Sequence, residues 1–205
     1  NSFSLNGFVR YNYKNYYYGY FSPSMGHEKN NDQPPIIAEV KTSVFSDYQS
    51  GLGFENSWII LQICRGRESW GSGRDIELAL SQYSSTYDYF LLGSDYGNIR
   101  VRYIHGFLEK IDPNINRYIN ARGIEWTNKK SLVIGLSETI IYSGENRSID
   151  MGYLNPVSSH LEVELNNRLN IIGDNNANAV WQIHLDYLVK NNLRISMNYL
   201  YDEFV

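Results

Sequence analysis

Apolar or aromatic side chains stand at every second position from 179 to 189: Ala179, Trp181, Ile183, Leu185, Tyr187 and Val189. Between them lie Val180, Gln182, His184, Asp186 and Leu188, three of which are polar. A helix, at 3.6 residues per turn, would scatter these side chains around its axis. A strand sorts them onto one apolar face and one mostly polar face. Eleven residues also match the ~9–11 that a tilted strand needs to cross a bilayer.

The pattern recurs. After the turn Lys190-Asn191-Asn192, Leu193, Ile195, Met197, Tyr199 and Tyr201 alternate with Arg194, Ser196, Asn198, Leu200 and Asp202. Two such strands across a tight turn predict a hairpin. Residues 3–13 predict one strand, with Phe8 out of phase, and 99–107 and 76–81 predict others. Weaker strand signals cover 36–45, 57–64, 87–93, 118–126 and 132–142. Residues 161–169 fit a short helix or a strand, and no amphipathic helix of three turns stands out. Short turns at 128–130 and 190–192 contrast with long Asn/Gly/Ser/Pro-rich loops at 22–35 and 143–176. That asymmetry is expected of an outer-membrane barrel. The run Tyr16-Tyr17-Tyr18-Gly19-Tyr20-Phe21 suits either an interfacial aromatic girdle or a Tyr-rich edge strand.

Composition narrows the classes. No apolar run approaches the ~20 residues of a membrane helix, although 42% of the chain is hydrophobic. Tyr alone accounts for 18 residues, a taste shared by sandwiches, lectins and outer-membrane barrels. A net charge of -4 with mixed signs gives no electrostatic reason to expect nucleic acid. The single cysteine, Cys64, reads as a packing residue and rules out an intrachain disulfide. The four histidines have no metal-ligand spacing, so neither a metal nor another cofactor is expected. His160 follows Ser158 and Ser159, but no nucleophile elbow is present and no enzyme activity is expected. The fold expected is therefore all-β: an antiparallel transmembrane β-barrel in a single domain over 1–205, incomplete at both ends. A barrel requires export, and residues 1–10 read as strand rather than signal, so the original N-terminus is expected to be missing. The alternation does not say whether the apolar face meets lipid or protein. A porin-like channel and a soluble β-sandwich carbohydrate-binding module remain alternatives.

Candidate binding residues follow from chemistry. Trp70, among glycines, offers a face for a sugar ring, and Arg67 and Glu68 offer hydrogen bonds to hydroxyls or carboxylates. The competing reading pairs Arg67 with Glu68 in the wall and puts Trp70 in an aromatic belt. Alternation predicts Arg100, Arg102, Arg122 and Arg194 on a lumen face, facing Glu77, Glu138, Asp186 and Asp202. These form either cross-strand salt bridges or a ladder for an anionic polysaccharide. Glu138 shares the parity of Leu132, Ile134 and Leu136, so a β-bulge near Ser137 is expected to turn it inward. On the barrel reading Ile183→Arg blocks assembly, while Gln182→Arg is tolerated.

Six short motifs resemble, in order, the outer-membrane capsule assembly (Wzi) family, particularly its diverged Bacteroidetes-like members. They are Gly66-Arg67-Glu68-Ser69-Trp70-Gly71-Ser72-Gly73, Leu78-Ala79-Leu80-Ser81, Val101-Arg102-Tyr103-Ile104-His105-Gly106, Gly135-Leu136-Ser137-Glu138 with Tyr142, Tyr153-Leu154-Asn155-Pro156, and Asp174-Asn175. The resemblance spans about 66–204. It implies a fragment of a longer barrel in the outer membrane, in contact with lipid, surface polysaccharide and other envelope proteins. It adds Tyr153 and Asn155 to the candidate polysaccharide-binding residues and implies that extracellular loops bind or organise the glycan.

Overall fold

A computed structural model describes residues 3–27, 48–72, 78–160, 177–190 and 192–202. In chain order the strands are β1 (Phe3–Asn6), β2 (Val9–Tyr13), β3 (Tyr17–Ser22), β4 (Ser24–His27), β5 (Gln49–Glu55), β6 (Ile59–Gly66), β7 (Tyr87–Tyr96), β8 (Ile99–Asp112), β9 (Ile115–Thr127), β10 (Leu132–Glu145), β11 (Ala177–Lys190) and β12 (Leu193–Asp202). A short 3-10 turn (Met151–Leu154) stands between β10 and β11, with Asp150 accepting from the amide of Gly152. Ten strands form one antiparallel sheet in the order β12-β11-β10-β9-β8-β7-β6-β5-β3-β2, and β1 pairs with β4. Among the described residues β2 and β12 are its two edges, and the sheet is not closed.

Several strand expectations need correction. Residues 3–13 form two strands, broken at Gly7-Phe8. The cause lies opposite, where Pro23 has no N–H for the ladder and only its carbonyl accepts from Gly7 N at 3.0 Å. Residues 24–27, expected to be loop, are strand β4. Within 76–81, the described residues Leu78 to Ser81 contribute only an isolated bridge, Leu80 to Trp70. The expected strand at 36–45, the alternatives at 161–169, and Glu77 lie outside the described residues.

Five tight turns lie at one end of the sheet: 14–16, 56–58, 97–98, 128–131 and the β11–β12 connection. At the other end β6 runs on toward β7 and β10 toward β11 by long connections, and β8 joins β9 by the short 113–114 turn. One face carries large exposed apolar residues, including Leu52, Ile63, Val101, Ile124, Leu136, Ile183 and Met197. Leu136 pairs directly with Ile183 and Ile124, so these side chains are neighbours on one surface. At the short-turn end the exposed residues become aromatic: Tyr13, Tyr17, Trp58, Tyr96, Trp126 and Tyr187. The Tyr16 to Phe21 run divides by parity. Tyr17 and Phe21 face outward, while Tyr18 and Tyr20 turn to the other face and bond Gln62 at 3.0 and 2.8 Å.

The opposite face is concave. Its curvature follows from the row Arg65, Asp88, Phe107, Tyr118, Tyr142 and Ala177, which marks one level of the sheet across β6 to β11 and has its side chains on the outer face. On a flat sheet that row would be ~24 Å wide at ~4.8 Å per strand. Ser72 Oγ nevertheless bonds the carbonyls of Leu185 and Met197 at 2.8 and 2.9 Å. Leu185 lies eight residues beyond Ala177 along β11, a further ~27 Å. The flat diagonal, ~36 Å, exceeds the ~25 Å that the chain from Arg65 to Ser72 can reach when fully extended. The sheet therefore curls, and the segment after β6 crosses its hollow side. Toward the long-loop end that side is apolar: Cys64, Leu80, Tyr87, Tyr89, Leu91, Ile104, Ile119 and Ala121 pack together with Trp70. Cys64 is indeed a packing residue, its Sγ 3.8 Å from the Tyr89 carbonyl.

Candidate functional site: a polar pocket under an in-folded segment

Toward the short-turn end the concave face is polar, and its side chains stand in rows across the strands. One row is Asp95, Arg100, Glu125, Gly135, His184 and Asn198. Arg100 bridges Asp95 at 3.0 Å and Glu125 at 3.1 Å. His184 Nε2 meets the other Glu125 oxygen at 2.9 Å. It reaches across β10 because Gly135 has no side chain; a Cβ there would fall within the imidazole ring. On the same face Arg194 forks onto Asp186, with Nε at 2.6 Å from Oδ1.

The next row is Gly93, Arg102, Gly123, Ser137, Gln182 and Leu200. Here the in-folded segment docks. Gln182, fully buried, donates Nε2 to the Trp70 carbonyl and accepts from Ala79 N, both at 3.1 Å. Asn198 accepts from Ser72 N at 2.9 Å and donates to the Ser72 carbonyl at 2.6 Å. The Trp70 ring lies over Gly123, where a Cβ would stand 3.3 Å from Cζ3. Glu68 accepts from Tyr89 Oη at 2.8 Å and from Trp70 Nε1 at 3.4 Å. Arg67 donates to the Gln82 carbonyl at 2.8 Å.

Between segment and sheet lies a pocket of about 280 Å³, with Glu68, Trp70, Arg100, Arg102, Ser137 and His184 in its walls. Four residues expected at a binding site therefore meet here: Glu68, Trp70, Arg100 and Arg102. Trp70 is not in the outer aromatic belt, and Glu68 takes its bonds from Tyr89 and Trp70. Glu125, Ser137, Gln182 and His184 complete the site. Their signal in the sequence is parity, combined with glycines at matching positions on the neighbouring strands.

Of the other five expected residues, Arg67 does not line the pocket and the remaining four assemble elsewhere. Arg122 pairs directly with Glu138, and Glu138 with Trp181, with no register shift at Ser137. The expected bulge is absent, and both charges stand on the apolar face. Protein covers them there and pairs them. Arg122 Nε meets Glu138 Oε2 at 2.8 Å, and His160 takes the other oxygen. Arg122 also donates to the Asn155 carbonyl at 3.2 Å. Tyr153 is fully buried, its ring stacked on Tyr142 at 4.9 Å between centroids. Its carbonyl accepts from Tyr103 Oη at 2.8 Å and Asn120 Nδ2 at 3.1 Å. Glu138 and the Tyr153–Asn155 stretch thus meet in one docking contact through Arg122 and His160. Among the described residues no group of three or more His, Cys, Asp or Glu side chains could hold a metal ion.

No protein-family model matches the chain, and no curated protein matches it in sequence.

Proposed function

We propose that the chain is wall of an outer-membrane β-barrel that binds surface polysaccharide, as a non-enzymatic protein resembling the capsule assembly family. The observation that carries this reading is the exposed apolar face. Soluble monomers rarely expose a continuous apolar surface beyond a few hundred Å², and here it runs across the strands to an aromatic rim at the short-turn end. Lipid is the solvent that such a face and rim fit. Backbone groups of an edge cannot stay unpaired in hydrocarbon, so β2 and β12 meet further strands or each other in the membrane.

The in-folded segment favours a plugged binder over a porin. It is held by both the β6–β7 side and β11–β12, across the hollow through which solutes would pass. A β-sandwich would need a second layer over the apolar face. Among the described residues only the 3-10 turn and its neighbours supply one, over the Arg122–Glu138 region. Polysaccharide as the ligand rests on the six-motif resemblance and on Trp70, Glu68 and the arginines sharing one pocket.

The test is sucrose-gradient fractionation of the full-length protein, then gel mobility with and without boiling. Outer-membrane density and heat-modifiable mobility are expected. A soluble protein whose mobility ignores boiling would overturn the membrane reading.

A further inference from the structure

The pocket contains two groups whose bonding capacity is unused. Arg102, half-buried, has no hydrogen bond or ion pair among the described residues, although it lines a site with two carboxylates. Both carboxylates are engaged: Glu68 by Tyr89 and Trp70, Glu125 by Arg100 and His184. The fold keeps Arg102 bare, because its direct neighbours on β7 and β9 are Gly93 and Gly123, which have no side chains. Ser137, one strand beyond Gly123 and 4% exposed, has a buried hydroxyl with no partner among the described residues. A buried hydroxyl without an acceptor is costly unless something supplies one, and the Arg102 guanidinium, partly open to water, is free to take a ligand. Over Gly123, between Arg102 and Ser137, lies the Trp70 ring.

We propose that this pocket binds the carboxylate of an acidic sugar residue, with Arg102 as its anchor, Ser137 as a second donor and Trp70 as the stacking face. A guanidinium presents a fork of N–H groups that matches a carboxylate. An indole face accepts the C–H side of a pyranose ring, which a bare inorganic anion lacks. The volume, about 280 Å³, is at the small end of ligand pockets, ~300–1,000 Å³, and suits one sugar unit. This inference rests on the polysaccharide-binding reading and specifies its substrate class.

The experiment is calorimetric titration of the purified full-length protein, in detergent, with three probes: a glucuronate-containing tetrasaccharide, the same tetrasaccharide with its carboxyls reduced to alcohols, and inorganic phosphate. The charged tetrasaccharide is expected to bind, and carboxyl reduction or Arg102→Gln to weaken it about 10- to 100-fold, the range of a charge-assisted hydrogen bond. Gly123→Ala leaves Arg102 intact but sets a Cβ 3.3 Å from the Trp70 ring and 3.2 Å from Ser137 Cβ; it should weaken the same binding. Equal affinity for the reduced sugar, unchanged binding by Arg102→Gln, or binding of phosphate alone would overturn the proposal. Heat-modifiable mobility is read on every sample. A protein that keeps it and ignores the charged sugar refutes the acidic-sugar site alone, whereas loss of it in the wild type refutes the membrane reading.

Discussion

Replacing Gln182 by Leu should release the in-folded segment without unfolding the sheet. The two side chains have similar volume, so the change is one of hydrogen bonding rather than space. Gln182 holds the segment at two points, the Trp70 carbonyl and the Ala79 amide, each at 3.1 Å. Each bond contributes ~0.5–1.5 kcal/mol net, and each backbone group left buried and unpaired costs ~1–3 kcal/mol. These overlap, because the freed groups regain water once the segment lifts, so about 2–4 kcal/mol is expected in all. That is roughly a 30- to 1,000-fold rise in the open population. The assay is limited trypsin digestion of the full-length protein in detergent, reading cleavage after Arg67. Asn198→Leu, which removes both bonds to the Ser72 backbone, should accelerate the same cleavage. The double variant should add less than the sum, since a segment already released has nothing further to lose. Wild-type cleavage rates in both single variants would refute the docking. The same geometry corrects the expectation that Gln182→Arg is tolerated: a fully buried side chain under a docked segment has no room for a guanidinium.

Three further outcomes follow from the two faces. Ile183→Arg puts a charge on the exposed apolar face beside Leu136 and Tyr199; near mid-bilayer this costs ~2–4 kcal/mol, and the heat-modifiable fraction in outer membranes should fall well below that of Ile183→Leu. Glu138→Gln leaves Arg122 buried without its counter-charge, and breaking such a pair costs ~3–5 kcal/mol; a denaturant midpoint equal to wild type would show that the pair is not structural. Gly135→Ala forces His184 off Glu125 and should lower the melting temperature, while the same substitution in a His184→Ala background should cost little.

Parity made most of the sheet legible. Residues 179–189, 193–202, 99–107 and 132–142 lie within observed strands, because each strand has one face in contact with water or polar groups and one without. Strand β5 was invisible for a physical reason. Gly51 and Gly53 break its pattern, and they are there to make room for the Tyr20 and Tyr18 rings, into which a Cβ would run. Residues 78–81 deceived because Leu78 and Leu80 alternate with Ala79 and Ser81, yet Leu80 and Trp70 meet as a bridge within the in-folded segment. Period two records which side chains are buried, and a segment packed against a concave wall satisfies it as well as a strand does. The pocket was half legible. Arg100 and Arg102 carry the right parity, but nothing local announces that residues far along the chain, Gln182 and Asn198, will draw Trp70 down over Gly123.

Arg122 and Glu138 show what the alternation was saying where it was overruled. Arg122 shares the parity of Ile124 and Trp126, and Glu138 that of Ile134 and Leu136, so the pattern itself placed both on the apolar face. Assigning them to the lumen assumed that charge always escapes lipid by turning inward. The chain takes another route. It keeps both charges in register, pairs them across β9 and β10, and lays Tyr153, Asn155 and His160 over them. A facing pair of opposite charges at apolar parity is therefore a signal for a docked segment, and the Tyr-Leu-Asn-Pro stretch is that segment. The two motif groups thus act on opposite faces of the wall. Glu138 with Arg122, and Tyr153 with Asn155 and His160, fix a cover on the outer face, while Glu68 to Ser72 bring Trp70 to Arg102 on the inner one.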